Sequence, residues 1–464
     1  MSSSATSTEA VMTSTSVARA WRTASPLVQL FMRRWAEEAS VHQPEQLLDD
    51  EKETCEAFLV SSHGKALLRL QNLVRRTPCK EHFTPEQMLA RGGYGAVFHA
   101  EHRTSGCAYA LKRQSLLQLV SKDHKKRAWL EHRILTSLKS RFLLDATFAW
   151  VDERETVLAT RFMAGGDVSR YLRGRKGLGE AARFYLASVV LGLEALHAAK
   201  ICYRDLKSKN VLLDAVGQAR LADFGLSADV SKAPSSGSSG TRGHLAPEQY
   251  TPVGPDGKKL PRPTYYTSPD LWALGVCVHH WTVGRRPFVC GKASSGSDSD
   301  EVDVLGVYRA GFDRSLPLFV GQPALLSLVD GLLTLEPHAR LGVRGEGLRE
   351  VMEHAYFEGF DWAALRQGAM AAPFNPSEEG VPARWKRDTP APHKPAPIAA
   401  NLMPDAATAA AWAYVDVPLV EAEVAARLRA DPGCLETLLG AGAGNGAASR
   451  RGANGGSTAC CSVL

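Results

Sequence analysis

The stretch Tyr203-Arg-Asp-Leu-Lys-Ser-Lys-Asn210, followed after a short hairpin by Leu221-Ala-Asp-Phe-Gly225, concentrates groups that can move a phosphoryl group. Asp205 can accept the proton of an attacking hydroxyl, and Lys207 can steady the charge on the transferred group. Asn210 and Asp223 offer the hard oxygen ligands that Mg²⁺ takes. Turn residues do not reach this density by accident. Upstream, Ala90-Arg-Gly-Gly-Tyr-Gly-Ala-Val97 stands between two strand-like stretches. Gly92, Gly93 and Gly95 there would let backbone N–H groups approach phosphate oxygens. Glycines in a hairpin turn are commoner than phosphate loops, so this run carries weight only with partners. Ala110-Leu-Lys112 and Glu131 supply them, a lysine held by a carboxylate within reach of α- and β-phosphates. Ala246-Pro-Glu248, Asp270 and Arg340 complete an ordered set, in which Glu248 and Arg340 are expected to form a buried, structural ion pair.

These residues need a scaffold, and the periodicity supplies one. From Met88 to Ala100 apolar residues alternate around glycines, His102 to Gly106 makes a turn, and Ala108 to Leu111 resumes an extended course, a β-hairpin. His124 to Leu138 reads as a helix, with Leu130, Ile134 and Leu138 on one face, and Phe148 to Val151 and Thr156 to Arg161 as strands. Beyond Met163-Ala-Gly-Gly166, long helical patterns dominate: Gly179 to Ala199, Ser268 to Val283 and Gln322 to Leu335. The fold class is therefore α+β, a small β-rich lobe over residues 84–165 followed by a larger helical lobe over 166–360. Residues 26–79 carry helical stripes such as Leu27, Leu30, Phe31 and Trp35, enough for two or three helices. Residues 361–437 hold a Pro-rich tail and helical spacing from Ala410 to Arg429, and 438–464 read as a flexible tether. Residues 1–25, rich in Ser and Thr, cannot bury much and are expected to be disordered. Their Arg19 and Arg22 also fit a transit peptide, with Glu9 against it.

Composition limits the alternatives. The 464 residues are 44% hydrophobic and 22% charged, an ordinary globular balance. A net charge of +6 spread over this length is too weak to argue for nucleic-acid binding. The greasiest stretch, Phe184 to His197, contains Glu194 and reads as a buried helix rather than a membrane span. The nine cysteines form no CxxC pair, so neither a zinc ribbon nor a disulfide framework is expected.

Across roughly residues 84–360 the sequence resembles the eukaryotic protein kinases, with every diagnostic element in order. Lys207, two positions after Asp205, is the serine/threonine form of the loop. Tyr203 in place of His, and a tail ending in Pro373-Phe-Asn-Pro376, resemble the AGC group. Within it the sequence is similar to the G protein-coupled receptor kinase family. Ser140-Arg-Phe142, Met163-Ala-Gly-Gly-Asp167 and Gly240-Thr-Arg-Gly-His-Leu-Ala-Pro-Glu248 carry that likeness. So do Ser268-Pro-Asp-Leu-Trp-Ala-Leu-Gly275, Leu348-Arg-Glu-Val-Met-Glu-His354 and Phe357-Glu-Gly-Phe-Asp-Trp362. The resemblance implies a bilobal kinase fold using ATP and Mg²⁺. Nucleotide would be bound by Gly92, Gly93, Gly95, Val97, Ala110, Lys112, Thr160, Met163, Asp167 and Leu212. Asp205, Lys207, Lys112 and Glu131 would serve catalysis, and Asn210 and Asp223 the metal.

Departures from the family pattern refine these expectations. Ala90 replaces the first glycine of the phosphate loop. Residues 26–79 match only the closing part of the regulator-of-G-protein-signalling homology domain that flanks such kinases, a truncated remnant that puts G-protein binding in doubt. Lys209 stands where many basic-directed AGC kinases carry an acid, which should favour acidic or phosphorylated substrates. The last four residues, Cys461-Ser-Val-Leu464, fit a prenylation box of the geranylgeranyl type. The resemblance thus implies a kinase on the cytosolic face of a membrane acting on an activated seven-transmembrane receptor. An AGC kinase for other proteins and a catalytically silent scaffold are the alternatives.

Overall fold

The computed structural model describes residues 25–38, 58, 60–84, 87–92, 95–152, 154–251, 260–261, 263–288, 304–343, 345–376 and 405–441. Gly93, residues 1–24, residues 442–464 with Cys461, and most of the Pro-rich tail lie outside the described residues; residues 438–441, expected to begin a flexible tether, instead end a helix with Leu438 buried against the core.

The first lobe is built on β1 (Gln87–Gly92), β2 (Gly95–Glu101), β3 (Ala108–Ser115), β4 (Ala146–Val151) and β5 (Glu155–Arg161), with α3 (Lys122–Ser137) between β3 and β4. The expected hairpin is present as three antiparallel strands. Gly95, at φ +143, closes it, and a Cβ there would stand 2.1 Å from the Arg113 carbonyl oxygen, so only glycine fits. On β2 the odd side chains out, Ala96, Phe98 and Ala100, are buried behind the sheet, while Val97 faces the other way. Ser121 caps α3 by accepting the His124 N–H at 3.1 Å.

The sheet has six strands, not five. Its order is β1-β2-β3-β5-β4 and then β8 (Tyr414–Val415), which pairs antiparallel to β4. The helix expected from Ala410 to Arg429 is therefore broken: α7 (Ala406–Trp412) ends at Ala413, β8 follows, and α8 (Val417–Ala430) resumes. Pairing with an open sheet edge satisfies backbone groups that a continuous helix would have satisfied internally.

Before the kinase core, α1 (Pro26–Glu38) and α2 (Ser62–Arg75) pack with α8 and with α9 (Cys434–Ala441). Leu27, Phe31, Leu67 and Leu70 share one core with Val420, Val424 and Leu428, and with Phe98 and Tyr109 of the sheet. Phe83 sits at its centre, stacked on Trp150 with centroids 5.4 Å apart.

The second lobe centres on α4 (Ala181–Ala198) and α5 (Ser268–Val283). By length and composition α4 could cross a membrane, but it is buried among other protein elements, as an inner core helix is. The helical pattern from Gln322 to Leu335 forms α6 (Pro323–Leu332), preceded by a separate short helix, Pro317–Gly321. Pro323 at the first position and the bend at Gln322 set that start. Arg340, wholly buried, bonds both Glu248 oxygens, at 2.6 and 3.0 Å.

Candidate active site

The cleft face of the sheet carries the nucleotide-side residues. Register places Val97 opposite Lys112, and Ala110 opposite Thr160, so these four occupy one face. Met163 and Thr160 are buried at the junction between lobes. Leu212 and Asp167 lie opposite each other across a strand pair below, in which β6 (Val211–Leu213) joins Gly166–Asp167 and β7 (Ala219–Leu221). Asp167 accepts a close hydrogen bond from the Ser169 hydroxyl.

Lys112 Nζ stands 2.5 Å from Glu131 Oε1 and 2.9 Å from Asp223 Oδ1. Burial by itself would lower the lysine's pKa, but the two carboxylates outweigh it and raise it, so the ammonium stays charged. The same lysine, against the opposing effect of burial, holds Asp223 below the usual carboxylate range. Asp223 has a left-handed backbone, φ 58, and a side chain 55% exposed to the cleft. A strained, ionised and reachable carboxylate is suited to a cation.

Asp205 is nearly closed off from solvent and fully engaged. Its Oδ2 accepts from Lys207 Nζ at 2.7 Å and from Asn210 Nδ2 at 2.9 Å, and its Oδ1 accepts from the Thr241 hydroxyl at 2.6 Å. Lys207 also donates to Thr241 Oγ1 at 2.7 Å. Asn210 Nδ2 reaches the Asp205 carbonyl too, at 2.9 Å, so both amide protons are spent and the amide oxygen is the atom left for a metal.

The loop is held from below by Asp270, on α5. Its Oδ2 accepts the Tyr203 N–H at 2.8 Å, its Oδ1 accepts the Arg204 N–H at 2.7 Å, and His197 Nε2 lies 2.8 Å from Oδ2. Arg204 has φ 67, a conformation that this anchoring maintains. Tyr203, buried, donates its hydroxyl to the Ala222 carbonyl and so ties the catalytic loop to the segment that carries Asp223. Arg204 reaches the Leu226 carbonyl at 2.7 Å and Ser235 Oγ at 2.9 Å, which fixes the segment after Asp223.

Two roles were not legible beforehand. Thr241 stands among several candidate phosphorylation sites of its segment by sequence, yet it is a hydrogen-bond partner of Asp205 and Lys207. Asp270 belongs to the motif set but its hold on two backbone N–H groups is a tertiary fact. The only forward signal was its place just before Leu271-Trp272.

The donors present fit a nucleotide and a divalent ion: a charged lysine held over the cleft, an ionised Asp223 and a free amide oxygen on Asn210. When bound, the metal nucleotide supplies an activated phosphoryl group. The chain's own residues would then act on it: Lys112 would hold the phosphates by charge, Asp205 would receive the hydroxyl proton of the acceptor, and Lys207 would neutralise charge nearby.

Comparison with known proteins agrees with this geometry. The protein kinase domain family matches residues 83–357. A cGMP-dependent protein kinase of Eimeria tenella is 30% identical over 333 residues, covering 70% of this chain and 31% of its own length. G protein-coupled receptor kinase 4 of Rattus norvegicus is 29% identical over 333 residues, 70% of this chain and 55% of its own. The serine/threonine-protein kinase sck2 of Schizosaccharomyces pombe is 33% identical over 304 residues, 64% and 44% respectively. The chain thus spans between about a third and just over half of the length of these relatives. With its family match over more than half its length and relatives of the AGC type, the chain belongs to the protein kinase domain family.

Proposed function

We propose that the protein is a serine/threonine kinase that transfers the γ-phosphoryl group of MgATP to activated seven-transmembrane receptors, from the cytosolic face of a membrane. The observation that carries the catalytic part is a pair of bonded groups on the cleft: Lys112 held between Glu131 and Asp223, and Asp205, Lys207 and Thr241 bonded to one another. A scaffold without activity would have no need to keep Lys112 charged against the cost of burial. The receptor part rests on the motifs shared with the G protein-coupled receptor kinases and on the rat relative. Prenylation of Cys461 would supply one membrane signal, and one lipid chain alone binds only marginally, so a second would be needed. Binding of a G protein by the helices before residue 80 does not follow from the packing described.

The test is transfer of labelled phosphate to agonist-bound and resting receptor in vesicles, with a soluble protein substrate beside them. Preference for agonist-bound receptor supports the reading, and equal labelling of both receptor states overturns the receptor part. Comparable identity to the cGMP-dependent and yeast kinases favours a second reading, a kinase for soluble proteins, which the soluble arm would reveal.

A further inference from the structure

Thr241, bonded to Asp205, begins a turn in which the His244 N–H donates to the Thr241 carbonyl at 3.0 Å. His244 thus lies close to the general base. Both its ring nitrogens are enclosed and have no hydrogen-bond partner. A neutral imidazole always carries one N–H, and leaving it unmet in an enclosed place is unfavourable.

The neighbours of His244 are basic side chains. Burial first, then Arg286, His280 and Lys207, push its pKa down to about 3. His280, on the last turn of α5, is likewise lowered, by burial and by Arg286, and its Nδ1 is also enclosed and unpaired. Arg286 is exposed. Its guanidinium lies against Gly243, where a Cβ would come within 2.6 Å of Nη1, so the glycine makes its seat. Trp281 donates to Ser208 Oγ at 2.8 Å and so presses this end of α5 against the loop that carries exposed Lys209. Among the described residues no carboxylate is paired with Arg286, His244, His280 or Lys209. With both imidazoles held neutral, Arg286 and Lys209 carry the charge at this corner, and an anion is the ligand that would meet them.

We propose that Arg286, with His280, His244 and Lys209, forms an anion subsite of the substrate groove that selects a carboxylate or a phosphorylated side chain close to the acceptor hydroxyl. It rests on the kinase reading above and names its substrate class. The subsite fills from outside: Arg286 and Lys209 meet the anion first, and the histidines beneath, whose enclosed ring nitrogens lack partners, gain a hydrogen-bond acceptor.

Serine peptides with Glu, phosphoserine, Ala or Lys within three residues of the acceptor serve as probes. For each, labelled versions with Ala at the acceptor report binding by fluorescence anisotropy, independently of transfer. Glu and phosphoserine peptides are expected to exceed the Lys peptide by about tenfold or more in kcat/KM, through KM, and to bind correspondingly tighter. A phosphoserine peptide above the Glu peptide marks phosphate as the preferred source, and the reverse marks carboxylate. Arg286→Glu, at an exposed position and checked for an unchanged thermal melt, should erase or invert the preference. Equal affinity for Glu and Lys peptides, or a preference untouched by Arg286→Glu, overturns the subsite. Acid-selective binding with no transfer to any peptide would instead sink the kinase reading and leave the subsite standing.

Discussion

Glu423 and Tyr109 are joined by a 2.6 Å hydrogen bond across 314 positions of sequence, the tyrosine hydroxyl donating from β3 to a carboxylate on α8. The other Glu423 oxygen lies 3.1 Å from Arg161 Nε, at the end of β5 where the chain passes between lobes. Burial and the adjacent carboxylate raise the Tyr109 pKa, so the phenol stays a donor at any ordinary pH. A helix outside the kinase core thereby holds the first lobe and the approach to its hinge.

Glu423→Ala should lower stability by about 1–3 kcal/mol, because it strands the buried Tyr109 hydroxyl. The half-exposed Arg161 contact adds little. Glu423→Gln, which keeps an acceptor, should cost less than half as much. Denaturant unfolding of the two variants measures this, and equal stability of Glu423→Ala and wild type would refute the clamp.

Removing the phosphate-positioning charge with Lys112→Met, or the proton acceptor with Asp205→Asn, should cut kcat at least about a hundredfold. Thermal melts should show both variants folded. Near-wild-type turnover in either would contradict the roles assigned to the pair.

Asp270→Ala leaves two backbone N–H groups unpaired beneath a residue at φ 67. Each orphaned group costs about 1–3 kcal/mol, and the catalytic loop loses its support. A fall in both unfolding free energy and kcat is expected. A variant with lowered stability but unchanged kcat would show that Asp270 supports only the fold.

His102 gives a pH dependence of known sign. Its Nδ1 accepts the Ser105 N–H at 3.3 Å and so carries no proton, and burial, with His82 and Arg427, lowers its pKa to about 3. The unfolded chain binds a proton near the ordinary histidine value of 6.5 that the folded one refuses, so stability is lost as pH falls below 6.5 and the loss levels off near 3. At pH 5 the loss is on the order of 2 kcal/mol. His102→Gln should flatten that limb of the stability profile, and an unchanged slope would argue against His102 as its source.

Much of the site was legible along the chain because phosphoryl transfer needs its groups on short, contiguous pieces. Asp205, Lys207 and Asn210 share one loop and Asp223 the next hairpin, so spacing reveals them. Lys112 and Glu131 were readable as a pair only because one strand and the following helix bring them together. The break at Ala413 was not legible, since residues 410–429 keep an apolar helical spacing throughout. What broke the helix was the open edge of β4, with Trp412 packing its ring 4.9 Å from that of Trp129 and its carbonyl 2.8 Å from His132 Nε2.

The sequence by itself determined most of the element types and singled out the candidate catalytic residues, because hydrophobic period and motif spacing are local properties of a chain. Only the tertiary structure decided that Thr241 belongs with Asp205, that Glu423 grips Tyr109, that Tyr414 and Val415 complete the sheet, and that His244 and Arg286 share a site without a counter-charge. Those facts depend on which surfaces meet after the chain has folded. Burial and charge are settled there by neighbours far away in sequence, and no local pattern encodes them.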